Sequence, residues 1–292
     1  MKTFTTYAEK KAKQFLNLLQ GYTKGIRITA ILILLLMGVS NAWADYGFEN
    51  SNNGILFSRT PVGGTKADYR VEHGRTNATQ DAGTVSAFTI KEWYAKLYQN
   101  EDCIWGDGNL HYRIYLQKES APNFTSSNKS YFKWGNWSNS WRYPTFGNNN
   151  MSVNILSGLH SGKYNFEYYF DASGCSTMYC SNNSSNFFIT FSINPPAVNN
   201  FQITASNVIS GSGTSNDPYI IEGGKNTTLT VSGSQASTDN NSALNVKFGS
   251  SSYSSTKTKT LTPTTTKQSI EVKAKYYNSN YTLSGTESSK TI

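Results

Sequence analysis

Beyond its first 44 residues the chain alternates apolar and polar positions with a period of two over several short stretches. Leu110, Tyr112, Ile114 and Leu116 alternate with His111, Arg113, Tyr115 and Gln117. Tyr164, Phe166, Tyr168 and Phe170 alternate with Asn165, Glu167, Tyr169 and Asp171, and Phe187, Ile189, Phe191 and Ile193 keep the same rhythm. Successive side chains of a strand point to opposite faces, so this pattern predicts antiparallel strands with one face on a core and the other toward solvent. Weaker signals predict strands at residues 55–58, 69–72, 84–90 and 152–156, while residues 91–99 fit either a strand or one short helix. Further on, Leu229/Val231, Leu244/Val246/Phe248 and Ile270/Val272/Ala274/Tyr276 alternate with polar partners, and Glu271, Lys273 and Lys275 face outward. Turn-rich segments separate these runs at the spacing of a β-sandwich.

The first 44 residues obey a different logic. Six basic side chains and one acid, Glu9, accompany an apolar run over residues 28–39, succeeded by Ala42-Trp43-Ala44. A basic start, a short apolar stretch and small residues at −3 and −1 predict a signal peptide cut after Ala44. The run is too short for a membrane anchor, which needs about 20 apolar residues. The leader also accounts for five of the eight net positive charges. Residues 45–292 are nearly balanced in charge, which argues against a nucleic-acid partner. With 14 % aromatic residues against only 15 % charged, the chain has the apolar surface that disordered segments lack.

Aromatic density breaks at Pro195-Pro196. All tryptophans, histidines and cysteines lie before it, and Ser, Thr and Lys dominate after it. The expected organisation is an aromatic-rich β-sandwich over residues 45–194, a proline linker and hinge at 195–200, and a second β-sandwich at 201–292. Export favours disulfides, and Cys175 and Cys180 are the preferred pair of three cysteines, which leaves Cys103 as a small buried apolar residue.

Leu159-His160-Ser161-Gly162-Lys163-Tyr164 resembles the L-x-x-G-x-Y corner of immunoglobulin and fibronectin type III sandwiches. The resemblance implies that Tyr164 bonds back to nearby backbone, with Leu159 and Gly162 completing the corner. The run from Gly211 to Ile221, G-S-G-T-S-N-D-P-Y-I-I, resembles a phrase of modular secreted and surface proteins of Bacteroidota, and residues 201–292 resemble bacterial immunoglobulin-like repeats. The fold class implied is all-β, with two tandem immunoglobulin-like sandwiches behind the signal peptide.

Three tryptophans, Trp134, Trp137 and Trp141, fall within eight residues beside Asn136, Asn139, Arg142 and Tyr143. Indole faces stack on the C–H faces of sugars, and amide and guanidinium groups supply rim hydrogen bonds. The same rings also suit a sandwich core. Trp134 comes after Phe132 at strand spacing, which favours burial, whereas Trp137 and Trp141 have little apolar company. A second cluster, Glu101, Asp102, Asp107 and Asn109, gathers the oxygen donors that calcium takes, without EF-hand spacing. Asp-Gly-Asn before a strand is equally an ordinary turn. Calcium is the one cofactor left open.

Catalytic motifs are absent: there is no G-x-S-x-G, H-E-x-x-H or phosphate loop. Glu167 and Asp171 sit in no telling context, and His111, on the polar face of a strand, reads as a solvated side chain. The expected function is a non-enzymatic binding or adhesion protein outside the inner membrane, with a glycan or surface protein as partner. The rival expectations are a spacer and an accessory module of a glycan-degrading system.

Overall fold

The structure is a computed structural model that describes residues 46–48, 53–73, 79–99, 104–129, 131–133, 137–138, 141–142, 145–174, 178–180, 186–262 and 264–292. The expected signal peptide therefore lies outside the described residues. Among those described, every regular element is a strand. The chain is all-β.

Its first part contains Tyr46–Phe48 (β1), Asn53–Pro61 (β2), Ala67–His73 (β3), Gln80–Gln99 (β4) and Ile104–Leu116 (β5). Short strands come next at Thr125–Lys129 (β6), Tyr131–Lys133 (β7), Trp137–Ser138 (β8), Trp141–Arg142 (β9), Thr145–Asn148 (β10) and Val153–Asn154 (β11). Gly162–Gly174 (β12), Met178–Cys180 (β13) and Phe187–Ile193 (β14) complete it. The sheet path is β3-β2-β4-β14-β12-β5-β6, with β10 and β11 on the other edge of β4.

The 20-residue strand β4 ties the layers together. Its first residues pair in parallel with β14, Val85 to Tyr94 run antiparallel to β2, and its end pairs with β10 and β1. The pairing with β2 slips at Lys91, between the partners Phe57↔Ile90 and Leu56↔Glu92. One extra residue there reverses the inside–outside phase. Phe88 and Ile90 are buried before the bulge, and Trp93, Ala95 and Leu97 after it. The resulting three-residue step from Ile90 to Trp93 is what made residues 91–99 look equally helical. They are strand. The strand expected at 152–156 shrinks to β11: Ile155 still donates its amide to the Phe88 carbonyl at 2.8 Å, but the chain turns there and its side chain is buried in the core.

Aromatic rings from the two layers meet in the first core. Phe57 stacks on Phe88 at 4.5 Å and meets Phe166 edge-on at 5.5 Å. Phe88 faces Phe191, and Trp93 lies over Phe170 at 5.5 Å. Such pairs add to the area they bury.

The remaining strands are Val198–Ala205 (β15), Val208–Ser210 (β16), Ile220–Ile221 (β17), Thr227–Gln235 (β18), Ala243–Phe248 (β19), Thr258–Leu261 (β20), Glu271–Asn278 (β21), Leu283–Ser284 (β22) and Ser288–Thr291 (β23). One sheet orders β15-β18-β20; another pairs β19, β22 and β23 with β21. Ile203, Leu229 and Val231 from the first, with Leu244, Val246, Phe248, Val272, Ala274 and Tyr276 from the second, form a separate core. The Gly211–Ile221 phrase folds as a tight loop. The Asp217 carboxylate accepts the Ser212 amide at 2.8 Å, and the Thr214 hydroxyl accepts the Asp217 amide at 3.0 Å. Gly211 and Gly213 have φ of 91° and 71°, and a Cβ on Gly213 would sit 2.3 Å from the Tyr219 ring. Only glycine satisfies both demands.

The two cores meet across a polar joint. The Asp239 carboxylate, almost fully buried, accepts the Ser161 amide at 3.2 Å and the Ser242 hydroxyl at 2.7 Å. Asn241 and Asn278 both donate to the Ser161 carbonyl, at 3.1 and 2.9 Å. His160 Nδ1 lies 3.9 Å from Asp239, and Lys118 sits 5.0 Å over the Tyr281 ring. Pro195 is itself buried, and a Cβ on Gly285 would come within 2.8 Å of the Pro195 carbonyl oxygen.

Candidate functional site

The outer face of the β5–β12 pair carries the most organised polar chemistry among the described residues. Register creates it. Antiparallel pairing sets Arg113 opposite Glu167, His111 opposite Tyr169 and Asn109 opposite Asp171. Directly opposed side chains are close enough to interact pairwise.

Glu167 is only 3 % exposed, although it belongs to the polar phase of its strand. The expectation that this phase faces solvent fails here. Arg113 grips the carboxylate with two N–H groups, Nε to Oε2 at 2.7 Å and Nη2 to Oε1 at 2.6 Å. Tyr115 Oη and Asn186 Nδ2 donate at 2.8 and 2.6 Å. Burial alone would push the Glu167 carboxyl up, but these donors outweigh it and hold it below the ordinary carboxylate range. The segment after β5 folds back over the guanidinium. Pro122 accepts Arg113 Nη1 at 2.9 Å, and the Phe124 ring lies 4.2 Å beneath Arg113 Cζ.

Next along the face, Asp171 holds His111 Nε2 at 2.8 Å and accepts the Asn109 amide at 2.9 Å. His111 is thus anchored and mostly covered rather than solvated; its side chain is 16 % exposed. Its ring lies parallel to Tyr169, with centroids 4.6 Å apart and planes 10° apart, and Phe124 meets Tyr169 edge-on at 5.0 Å. The outcome is a partly exposed, flat pair of rings, locked in place, beside an ion pair whose donors and acceptors are already satisfied. A carboxylate saturated in this way suits holding geometry rather than moving protons.

The structure distributes the sequence-derived candidates unevenly. Trp134, Asn139 and Tyr143 lie outside the described residues. Trp137 and Arg142 are opposed in a two-strand hairpin, β8 with β9, that joins β4 through Arg142↔Gln99; Trp141 stands opposite Ser138. Glu101 and Asp102 lie outside the described residues, and Asp107 is placed on β5 by its backbone. Asn109 directs its amide to Asp171, across the sheet. No group of three or more His, Cys, Asp or Glu side chains converges among the described residues. Cys103 and Cys175 lie outside the described residues, and Cys180 is placed opposite Phe170. At the corner, Tyr164 Oη donates to the His160 carbonyl at 2.9 Å, and burial pushes its phenol up to about 12. Leu159 packs on the first core, and a Cβ on Gly162 would stand 2.4 Å from Leu116.

Sequence reasoning passed over Glu167, Arg113, His111, Tyr169 and Asp171. A usable signal was present: one strand offers His111 and Arg113 two residues apart, and the other offers Glu167 and Asp171 four residues apart, all in the polar phase. No protein-family model matches the chain, and no curated protein matches it.

Proposed function

We propose that the chain is an exported, non-catalytic binding protein of two immunoglobulin-like modules, whose first module recognises glycans on the outer face of β5 and β12. The observation that carries the reading is the locked, parallel His111–Tyr169 ring pair, partly exposed on a sheet face. Flat rings held rigidly present area at little entropic cost, and the apolar face of a sugar ring is the natural complement. Asn165, two register steps further along the same face, is half-buried and offers an amide of the kind that fixes orientation.

Strand order supports the immunoglobulin-like reading. The first module sets β6-β5-β12-β14 in one layer and β2, β4 and β10–β11 in the other; the second sets β15-β18-β20 against β19-β21-β23. In the first module β12 crosses to pair with β5, and in the second β21 crosses to pair with β19, non-sequential pairings of the kind that sandwiches of this type contain. Export rests on the leader pattern of residues 1–44. The joint at Asp239 and Asn278 favours a second reading in which the distal module is a rigid spacer that orients the first.

A glycan array and then calorimetry on the mature chain test the proposal. Tyr169→Ala should weaken the best glycan at least tenfold while Trp137→Ala and Trp141→Ala bind as wild type. Loss in the tryptophan variants alone would move recognition to the β8–β9 hairpin. If no glycan binds the wild type, the carbohydrate reading falls and the spacer reading stands.

A further inference from the structure

At the end of β21 remote from the joint, the second core opens into a cleft of about 430 Å³. Ile220, Leu229, Leu261, Ile270 and Ile292 supply apolar walls, and Thr266 belongs to the rim. That volume falls in the range of about 300–1,000 Å³ typical of small-molecule sites. The walls come from strand ends of both sheets. Ile270 and Ile292 exchange backbone hydrogen bonds at 2.9 and 3.1 Å, which fixes the floor of the cleft.

Two further observations suggest what would enter. Ile220 is 56 % exposed, and on β16, the strand paired with β17, Ile209 is 66 % exposed. Large apolar side chains left in water next to an apolar cleft mark a place where burial is still to be gained. The second observation is charge. Lys267 lines the same cleft, and its ammonium donates to the Ser215 carbonyl at 3.1 Å. The acids on the neighbouring segments are engaged elsewhere: Asp217 with the Ser212 amide, and Glu222 with Lys225 at 2.8 Å. An ammonium has three donors, so Lys267 retains capacity for an anion.

We infer that this cleft binds a medium-chain amphiphile, its alkyl tail among Ile220, Leu261 and Ile270 and its carboxylate on Lys267. The site is independent of the glycan face and lies in the other module. A free fatty acid and the acyl tail of a larger anionic lipid share this chemistry. The proposal commits to the free acid, with its carboxylate on Lys267.

Calorimetry on the mature full chain, with hexanoate, octanoate and decanoate below their micelle concentrations, tests the inference. Affinity should tighten about fourfold for each methylene that enters, until the cleft is full. Thr266→Trp, a change at an exposed rim position, should block octanoate at least tenfold. Lys267→Met should weaken octanoate while leaving 1-octanol unchanged. A short-chain phosphatidylglycerol monomer that outcompetes octanoate would assign the cleft to lipid tails rather than free acids and overturn the carboxylate assignment. Absence of any chain-length dependence in the wild type, which no misfolded variant could mimic, would overturn the site altogether. So would equal binding to Thr266→Trp.

Discussion

Asn278 donates its side-chain amide to the Ser161 carbonyl at 2.9 Å, joining two hydrophobic cores across 117 positions of sequence. Asn278 is fully buried, and the same amide reaches the Ser161 hydroxyl at 3.1 Å while its own oxygen accepts the Asn280 amide at 3.1 Å. A side chain with its donor and its acceptor both engaged at a boundary fixes an angle. Pro195 of the double proline is itself buried, and the joint is expected to act as a latch.

Removing this side chain should loosen the latch. Asn278→Ala leaves buried polar groups with fewer partners, at a cost of about 1–3 kcal/mol. Denaturant unfolding should show the loss. Residual dipolar couplings should change from one shared alignment of both halves in the wild type to two distinct ones in the variant. Unchanged stability and a shared alignment would exclude a latch.

The joint should also set part of the acid limb of stability. Burial alone would raise the Asp239 carboxyl, but bonds from Ser242, Ser161 and Asn241 outweigh it and hold it below its ordinary value of 3.8. A carboxyl depressed in the folded state binds its proton more readily when unfolded. Its contribution is therefore present above about pH 4 and is lost as pH falls through the folded value. Melting temperature measured from pH 7 to pH 2 should fall steeply at the low end. Asp239→Asn should start lower at pH 7 and fall less. A parallel pair of curves would mean that Asp239 carries no linkage.

On the outer face, the guanidinium and carboxylate depend on one another. Glu167→Ala strands Arg113, whose side chain is only 21 % exposed, beside Tyr115 and Asn186 donors that have lost their acceptor. The expected cost is about 3 kcal/mol, the lower end for breaking a buried pair because Arg113 keeps some solvent. Arg113→Met with Glu167→Leu should cost less than Glu167→Ala alone. Equilibrium unfolding of the single and double variants would show this directly; equal losses would mean that the pair is not coupled.

Much of this arrangement was legible residue by residue. The inward phases of β12, β14, β19 and β21 were read correctly because a period of two survives wherever a strand runs without interruption. Residues 91–99 resisted because the bulge at Lys91 breaks that period. Glu167 resisted for another reason. Polarity marks the phase opposite to the core, yet it does not say whether a second layer of side chains, here Phe124 and Asn186, will cover that phase.

Sequence alone determined the all-β class and the phase of most strands, because alternation is a local property that a chain carries without knowing its partners. Pairing was decided only by the tertiary structure. Whether Arg113 meets Glu167, His111 lies on Tyr169 and Asn278 reaches Ser161 depends on register and on contacts 54 to 117 residues apart. Such contacts form only when burial of both cores repays the entropy of closing those loops, and no local pattern encodes them.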